Sequence, residues 1–361
     1  MIEAGKQGGG EAGKSRRTPH QQRVLETACG GSAGGRARLS GPMLVRRALL
    51  LPVGLLLVSR VVAQSSSNSS PAPVKLSGYI QGRETYQKDV GLTASINRAR
   101  LAVSGSVIGG ISWRIQGEFR TGSVGTGRAS VALQDAYVRW ARKELGVQLG
   151  QFKTPFTREF ITSLSLVETA DRSTVVDSLA PKRDIGLMAD YALGARTTIS
   201  AGVFNGEGQN ITANTDSSAL GVARVTFRLV PSLLLGVNAA RFFEDSTRYG
   251  VDANVESEWI ILRGEYIGQH RDGLGTGDDK GWYALAAAQP RPWLQPVLKY
   301  EWFDRAGVAP TGALKNRAWT GGLNLFPWGK ATRFTLEYVM RTVGEPGVQR
   351  SMALAQAQVV F

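Results

Sequence analysis

From Ser112 to Arg120 polar and apolar residues swap at every step: Ser112, Arg114, Gln116 and Glu118 fall on one side, Trp113, Ile115 and Phe119 on the other. A period of two is the signature of a β-strand with two unlike faces. The same alternation returns in Arg224–Leu229, Arg248–Glu256, Gln295–Phe303 and Arg333–Tyr338. No window sustains a helical period. Segments bounded by turn residues give sixteen strands, near 74–86, 94–108, 111–120, 128–142, 145–153, 184–192, 196–205, 217–229, 233–243, 248–256, 258–269, 280–289, 293–303, 315–326, 331–341 and 350–361.

The connections alternate in length. Gly109-Gly110, Lys143-Glu144, Leu193-Gly194, Val230–Ser232 and Pro327–Lys330 are tight, while Gly206–Asp216, His270–Asp279 and Asp304–Ala313 read as longer polar links. Short turns at one end and longer loops at the other describe an even-stranded outer-membrane barrel. All eight tryptophans (113, 140, 259, 282, 293, 302, 319 and 328) fall near expected strand ends, where interfacial girdles sit. The expected fold class is therefore all-β: a transmembrane antiparallel β-barrel of about 16 strands.

The first 63 residues do not follow this pattern. Residues 1–42 lack periodicity, and from Met43 the chain has a basic pair (Arg46, Arg47), an apolar run (Ala48–Val58) and a small-residue site ending at Ala63. These are the parts of a secretory signal peptide, and the apolar run is too short to span a bilayer. The expected organisation is an overextended start at 1–42, a signal peptide at 43–63, a flexible Ser- and Asn-rich lead-in at 64–73, and the barrel at 74–361. Residues 1–63 hold ten of the 43 basic and three of the 29 acidic residues, so the remainder carries 33 against 26, a net charge of +7. It also lacks Cys29 and His20, leaving no cysteine and only His270. That excludes a disulfide framework and a Cys-based metal site. No cofactor, metal or nucleic-acid partner is expected.

Several stretches resemble a known family. Leu76–Gln81, Asn97–Gly105, Leu133–Trp140 and Leu149–Glu159 are similar to the phosphate-selective porin O and P family. The resemblance implies a sixteen-stranded, homotrimeric outer-membrane channel for small anions with a basic constriction. The chain differs from it at Tyr79, where phosphate-selective members carry a basic residue. Terminal Phe361 resembles the closing aromatic residue read by the barrel-assembly machinery. Bacterial outer-membrane lipid and lipopolysaccharide would surround such a barrel.

The lipid face must be apolar, so the other parity points inward. That face places Arg83, Arg98, Arg100, Arg114, Arg120 and Arg139 in the lumen, with only Glu118 and Asp135 opposing them on strands two to four. They are the expected anion path. On later strands, Arg263 with Glu265, Lys299 with Glu301 and Arg333 with Glu337 read as bracing ion pairs. Residues 154–182 lack alternation and form the longest link, a candidate constriction loop, the alternatives being an external cover or a contact between copies. Lys153 precedes it, and Arg158, Arg172, Lys182 and Arg183 follow, interleaved with Glu159, Glu168, Asp171 and Asp177. Lys153 and Arg158 join the expected path, and Arg172, Lys182 and Arg183 the constriction. Competing functions are a general small-solute pore, an outer-membrane enzyme using His270, and a basic scaffold for surface polyanions. N-terminal sequencing of the exported protein should begin at Gln64; a sequence starting upstream of Met43 would refute the assignment.

Overall fold

The computed structural model describes residues 73–120, 129–214, 217–243, 246–272, 277–308, 312–344 and 347–361. The expectations for 1–42, 43–63 and 64–72 lie outside these. Consecutive antiparallel strands follow one another around a single sheet: β1 (Lys75–Gln87), β2 (Gly91–Ser106), β3 (Ile111–Arg120), β4 (Ser130–Arg142), β5 (Leu145–Lys153), β6 (Arg183–Leu193), β7 (Thr197–Phe204), β8 (Leu220–Val230) and β9 (Leu233–Phe242). The series continues through β10 (Ser246–Glu256), β11 (Ile260–Arg271), β12 (Gly277–Ala288), β13 (Leu294–Val308), β14 (Gly312–Leu325), β15 (Thr332–Val343), β16 (Val348–Gln349) and β17 (Met352–Val360). The two-residue β16 and β17 both pair with β15 and act as one stave, so the barrel has sixteen. β1 pairs with β17 from Tyr79 opposite Val360 to Gln87 opposite Met352, which closes the sheet on itself.

Two backbone hydrogen bonds finish the seam, Gly78 N–H to Phe361 O at 2.8 Å and Phe361 N–H to Gly78 O at 3.0 Å. Gly78 is required there, because a Cβ would lie 2.8 Å from the Phe361 ring.

The polarity of the wall is inverted relative to a soluble core. Along β15, Arg333, Thr335 and Glu337 are buried, while Phe334, Leu336, Tyr338 and Met340 are exposed on the lipid side. Trp259, Trp293 and Trp328 lie in the short turns, and Trp282 and Trp319 flank Tyr300 at 5.3 and 4.6 Å nearer the other rim. From Trp293 to Trp302, nine residues at about 3.3 Å each on strands tilted roughly 40° span about 23 Å, close to the ~25 Å apolar band of such barrels.

Two of the long links expected from sequence are largely strand. β11 and β12 extend to Arg271 and from Gly277, and β13 and β14 to Val308 and from Gly312, because cross-strand pairing continues through polar residues above the membrane. Among the described strands, the long connections are those between β3 and β4, β5 and β6, and β7 and β8.

A recurrent device neutralises charge in the wall. Arg139 on β4 makes a bidentate pair with Asp190 on β6, at 2.5 and 2.8 Å, over Gly146 on β5. Arg224 on β8 likewise reaches Asp252 on β10, at 2.6 and 2.9 Å, over Gly236 on β9. A Cβ on Gly236 would sit 2.6 Å from Arg224 Nη2 and closer still to the Asp252 carboxylate. Gly236→Val should therefore part this buried pair and destabilise the barrel by about 1–3 kcal/mol, read as a lower temperature for loss of the compact, fast-migrating gel band. Gly321→Ala, with nothing within 4 Å of the new Cβ, should leave that temperature unchanged.

Candidate functional site: the lumen between the long loop and strands β2 to β6

The link between β5 and β6 carries two short helices, α1 (Arg158–Ile161) and α2 (Thr174–Leu179). It packs against inward-facing side chains of the wall. Chain drawn into a lumen brings backbone groups that need partners, and the wall provides them. Glu159 N–H donates to Glu265 on β11 at 2.6 Å, Ala170 N–H to Glu337 on β15 at 2.8 Å, and Thr174 N–H to Glu301 on β13 at 2.8 Å. The loop carbonyls of Val167 and Glu168 accept from Arg333 (2.6 Å) and Asn324 (2.7 Å). Apolar contacts accompany them: Phe156, Val175, Val176 and Leu179 are buried in one cluster with Ile267 and Phe303 of the wall.

The expected ion-pair ladders on the later strands are corrected by these contacts. Arg263 bonds Glu168 and Glu256, each at 2.9 Å, rather than Glu265, and Arg333 bonds Val167 O and Gln358 rather than Glu337. Lys299 keeps Glu301 at 3.5 Å. Three inward glutamates on alternate strands thus accept from loop amides, Glu301 while still paired with Lys299. Within the loop, the buried Glu159 carboxylate accepts from Ser173 N–H (2.9 Å) and Oγ–H (2.7 Å). Burial raises its pKa against the opposing pull of Lys299 and Ser173.

The loop leaves the β2–β6 side uncovered. A cavity of about 260 Å³ there is lined by Arg100, Arg114, Lys153 and Arg183, with Asp135, Tyr137 and Met188 among the remainder. Arg98 and Arg100 both approach Glu118, Arg98 at 3.7 Å. Arg114 donates to Gln116 at 2.6 Å and lies 3.8 Å from Asp135, which Arg183 holds at 2.7 Å. A bulge opposite Gln81 and Gly82 leaves Asn97 unpaired and lets both Asn97 and Arg98 face the lumen. Arg172, on the loop, stacks 5.4 Å from the Phe160 ring, and burial lowers its pKa to about 10. Glu118 and Asp135 are interleaved with Arg98, Arg100, Arg114 and Arg183.

A sheet closed on itself, a loop seated on one inner wall and a basic opposite wall are the architecture of a channel. The model of the phosphate-selective porin O and P family matches residues 78–272, more than half of the chain. The chain belongs to this family. The porin is accordingly a protein of the bacterial outer membrane. Among solved structures it is similar to an anion-selective porin from Comamonas acidovorans (17% identity, TM-score 0.58, 80% of this chain and 100% of that one). It is also similar to the outer membrane channel DcaP of Acinetobacter baumannii (15%, 0.58, 81% and 98%) and to a trimer form of OmpT from Vibrio cholerae (10%, 0.61, 81% and 100%). At these identities the likeness is one of fold. No curated protein sequence matches the chain.

Several residues expected on the path stand elsewhere in this porin. Arg83 straps the loop, bonding Asp171 at 2.8 and 3.0 Å and Gln356. Burial pushes the Asp171 carboxyl up, but the Arg83 guanidinium outweighs it and holds the pKa below the usual range. Arg139 is taken by Asp190. Arg158 opens α1 beside Glu265, on the opposite wall from Arg100. Lys182 is exposed at the loop's exit and pairs with Asp177. Lys153 and Arg172 both line the passage and bind loop carbonyls, Lys153 those of Ile161 and Thr162. The Arg120 side chain lies outside the described residues. Asn238, whose Oδ1 accepts from Thr157 N–H at 3.1 Å, and Glu265, Glu301 and Glu337 were not singled out as loop anchors from sequence; the inward parity of the three glutamates was visible, their partners were not. Replacing Glu301 and Glu337 together by Leu should orphan two loop amides, at about 1–3 kcal/mol each. The folded barrel should then be cut by trypsin at Arg172, and single-channel conductance should rise.

Proposed function

We propose that this porin lets small anions diffuse passively across the outer membrane, through the passage between the long loop and β2–β6. The observation that carries the reading is the excess of cations over carboxylates along that passage, Arg98, Arg100, Arg114 and Arg183 against Glu118 and Asp135. Arginine stays charged at any physiological pH and presents a planar fork suited to oxyanions. Low-dielectric walls focus the field of such groups and raise the local anion concentration. Arg98 and Arg114 are the accessible members, with side chains 25% and 31% exposed, whereas Arg100 is buried against Glu118. The seated loop acts as the constriction, with Arg172 and Lys153 on its passage side. Nothing in this transport requires a catalytic step.

The porin is proposed to work as a homotrimer, as the trimer form of OmpT is described. Small outward residues of β1, β14 and β17, among them Gly82, Gly321, Ala353, Ala355 and Ala357, give one side of the barrel a shallow apolar surface suited to a second copy. Elsewhere the apolar band meets lipid, and Lys280, outward beyond the aromatic cluster, is proposed to meet lipopolysaccharide head groups. Phe361 is proposed as the signal to the assembly machinery, and residues 43–63 as the export signal.

In planar bilayers under a potassium chloride gradient the native porin should give a zero-current potential on the anion-selective side. Arg98→Glu with Arg114→Glu should move it toward cation preference by tens of millivolts. Arg228→Glu, at a short turn far from the passage, should not. Equal shifts for both variants would place selectivity outside the passage.

A further inference from the structure

The cavity between the loop and β2–β6 is lined by two unlike kinds of side chain, cationic (Arg100, Arg114, Lys153, Arg183) and apolar (Tyr137, Phe152, Met188 and loop residue Ile161). Porin lumens are polar, so apolar side chains facing a passage need an explanation. Packing accounts for Phe152, which is buried edge-on against Tyr137 (6.0 Å) and Phe204 (5.4 Å). It accounts in part for Met188, which rests half-buried against the same cluster, but not for Ile161, 40% exposed on the same cavity. The charge is also limited. Of the four cations, Arg100 is committed to Glu118 and Arg183 to Asp135, with Arg114 near the same carboxylate. The remaining excess is enough to hold one anionic head group. At about 260 Å³ the cavity falls just under the ~300–1,000 Å³ range of drug-sized sites, which leaves room for a small organic acid.

We infer that the passage selects organic monocarboxylates with an apolar tail, the carboxylate on Arg114 and Lys153 and the tail against Met188, Ile161 and Tyr137. This rests on the anion conductance proposed above and names the anion class within it. Arg114 holds the head group because its side chain, 31% exposed, is the least committed of the arginines to an acid, and Lys153, which already donates to the carbonyls of Ile161 and Thr162, adds a hydrogen-bond donor rather than a free charge. The tail gains by leaving water for an apolar wall, an effect that grows with each methylene.

Chloride current through the purified porin, measured with acetate, butyrate, hexanoate or phosphate added to one side, tests this. The three carboxylates share one charge and differ only in chain length. The half-blocking concentration should fall about two- to fourfold per added methylene, and hexanoate should block at lower concentration than phosphate. Ile161→Ser with Met188→Gln should flatten the series while acetate block and the zero-current potential persist; Met188→Gln alone should flatten it in part. The compact gel band verifies that each variant is folded. A flat series in the native porin, block by phosphate below hexanoate, or an unchanged slope in the folded variants would overturn the inference while leaving anion selectivity standing. Loss of anion preference in potassium chloride alone would overturn both.

Discussion

A bilayer offers no water to a backbone N–H or C=O, so every such group at membrane depth must find its partner within the protein. This porin meets the constraint by returning its last strand to its first, with the Gly78–Phe361 hydrogen bonds sealing the join. Once the sheet is closed, each residue is committed to lipid or to lumen by parity alone. The buried polar and exposed apolar residues of β15 are the direct result.

The same requirement recurs one level in. The long loop brings amides and carbonyls into the lumen, and the inward glutamates of β11, β13 and β15, with Arg333 and Asn324, take them up. Those acids look, along the strand, like partners for Arg and Lys two or four residues away. The backbone of a segment more than a hundred residues distant claims them, in place of Arg263 and Arg333 at Glu265 and Glu337 and alongside Lys299 at Glu301. The loop is thereby fixed to the later strands, and the passage is left on the side of β2–β6.

Function then depends on which charges remain unneutralised. Arg139 and Arg224 are removed from the account by carboxylates reached over a glycine, and Arg83 by the loop. What is left lies around Arg98 and Arg114, on a cavity that Tyr137, Met188 and Ile161 also line. A basic inventory by itself describes many pores; its distribution against the loop describes this one.

The number of staves, their inward and outward faces, the turns at one end and the importance of residues 154–182 were all legible in the sequence, because a barrel strand carries its environment in a period of two. So was the basic character of strands two to four. The extent of β11–β14 beyond the membrane was not, since ladder pairing does not depend on apolar side chains. Nor were the true partners of Arg139, Arg263, Arg333 and Glu337. Parity says which side of the wall a side chain faces but not what lies across the lumen. Those contacts join residues remote along the chain, and only closure of the barrel and seating of the loop bring them within hydrogen-bonding distance.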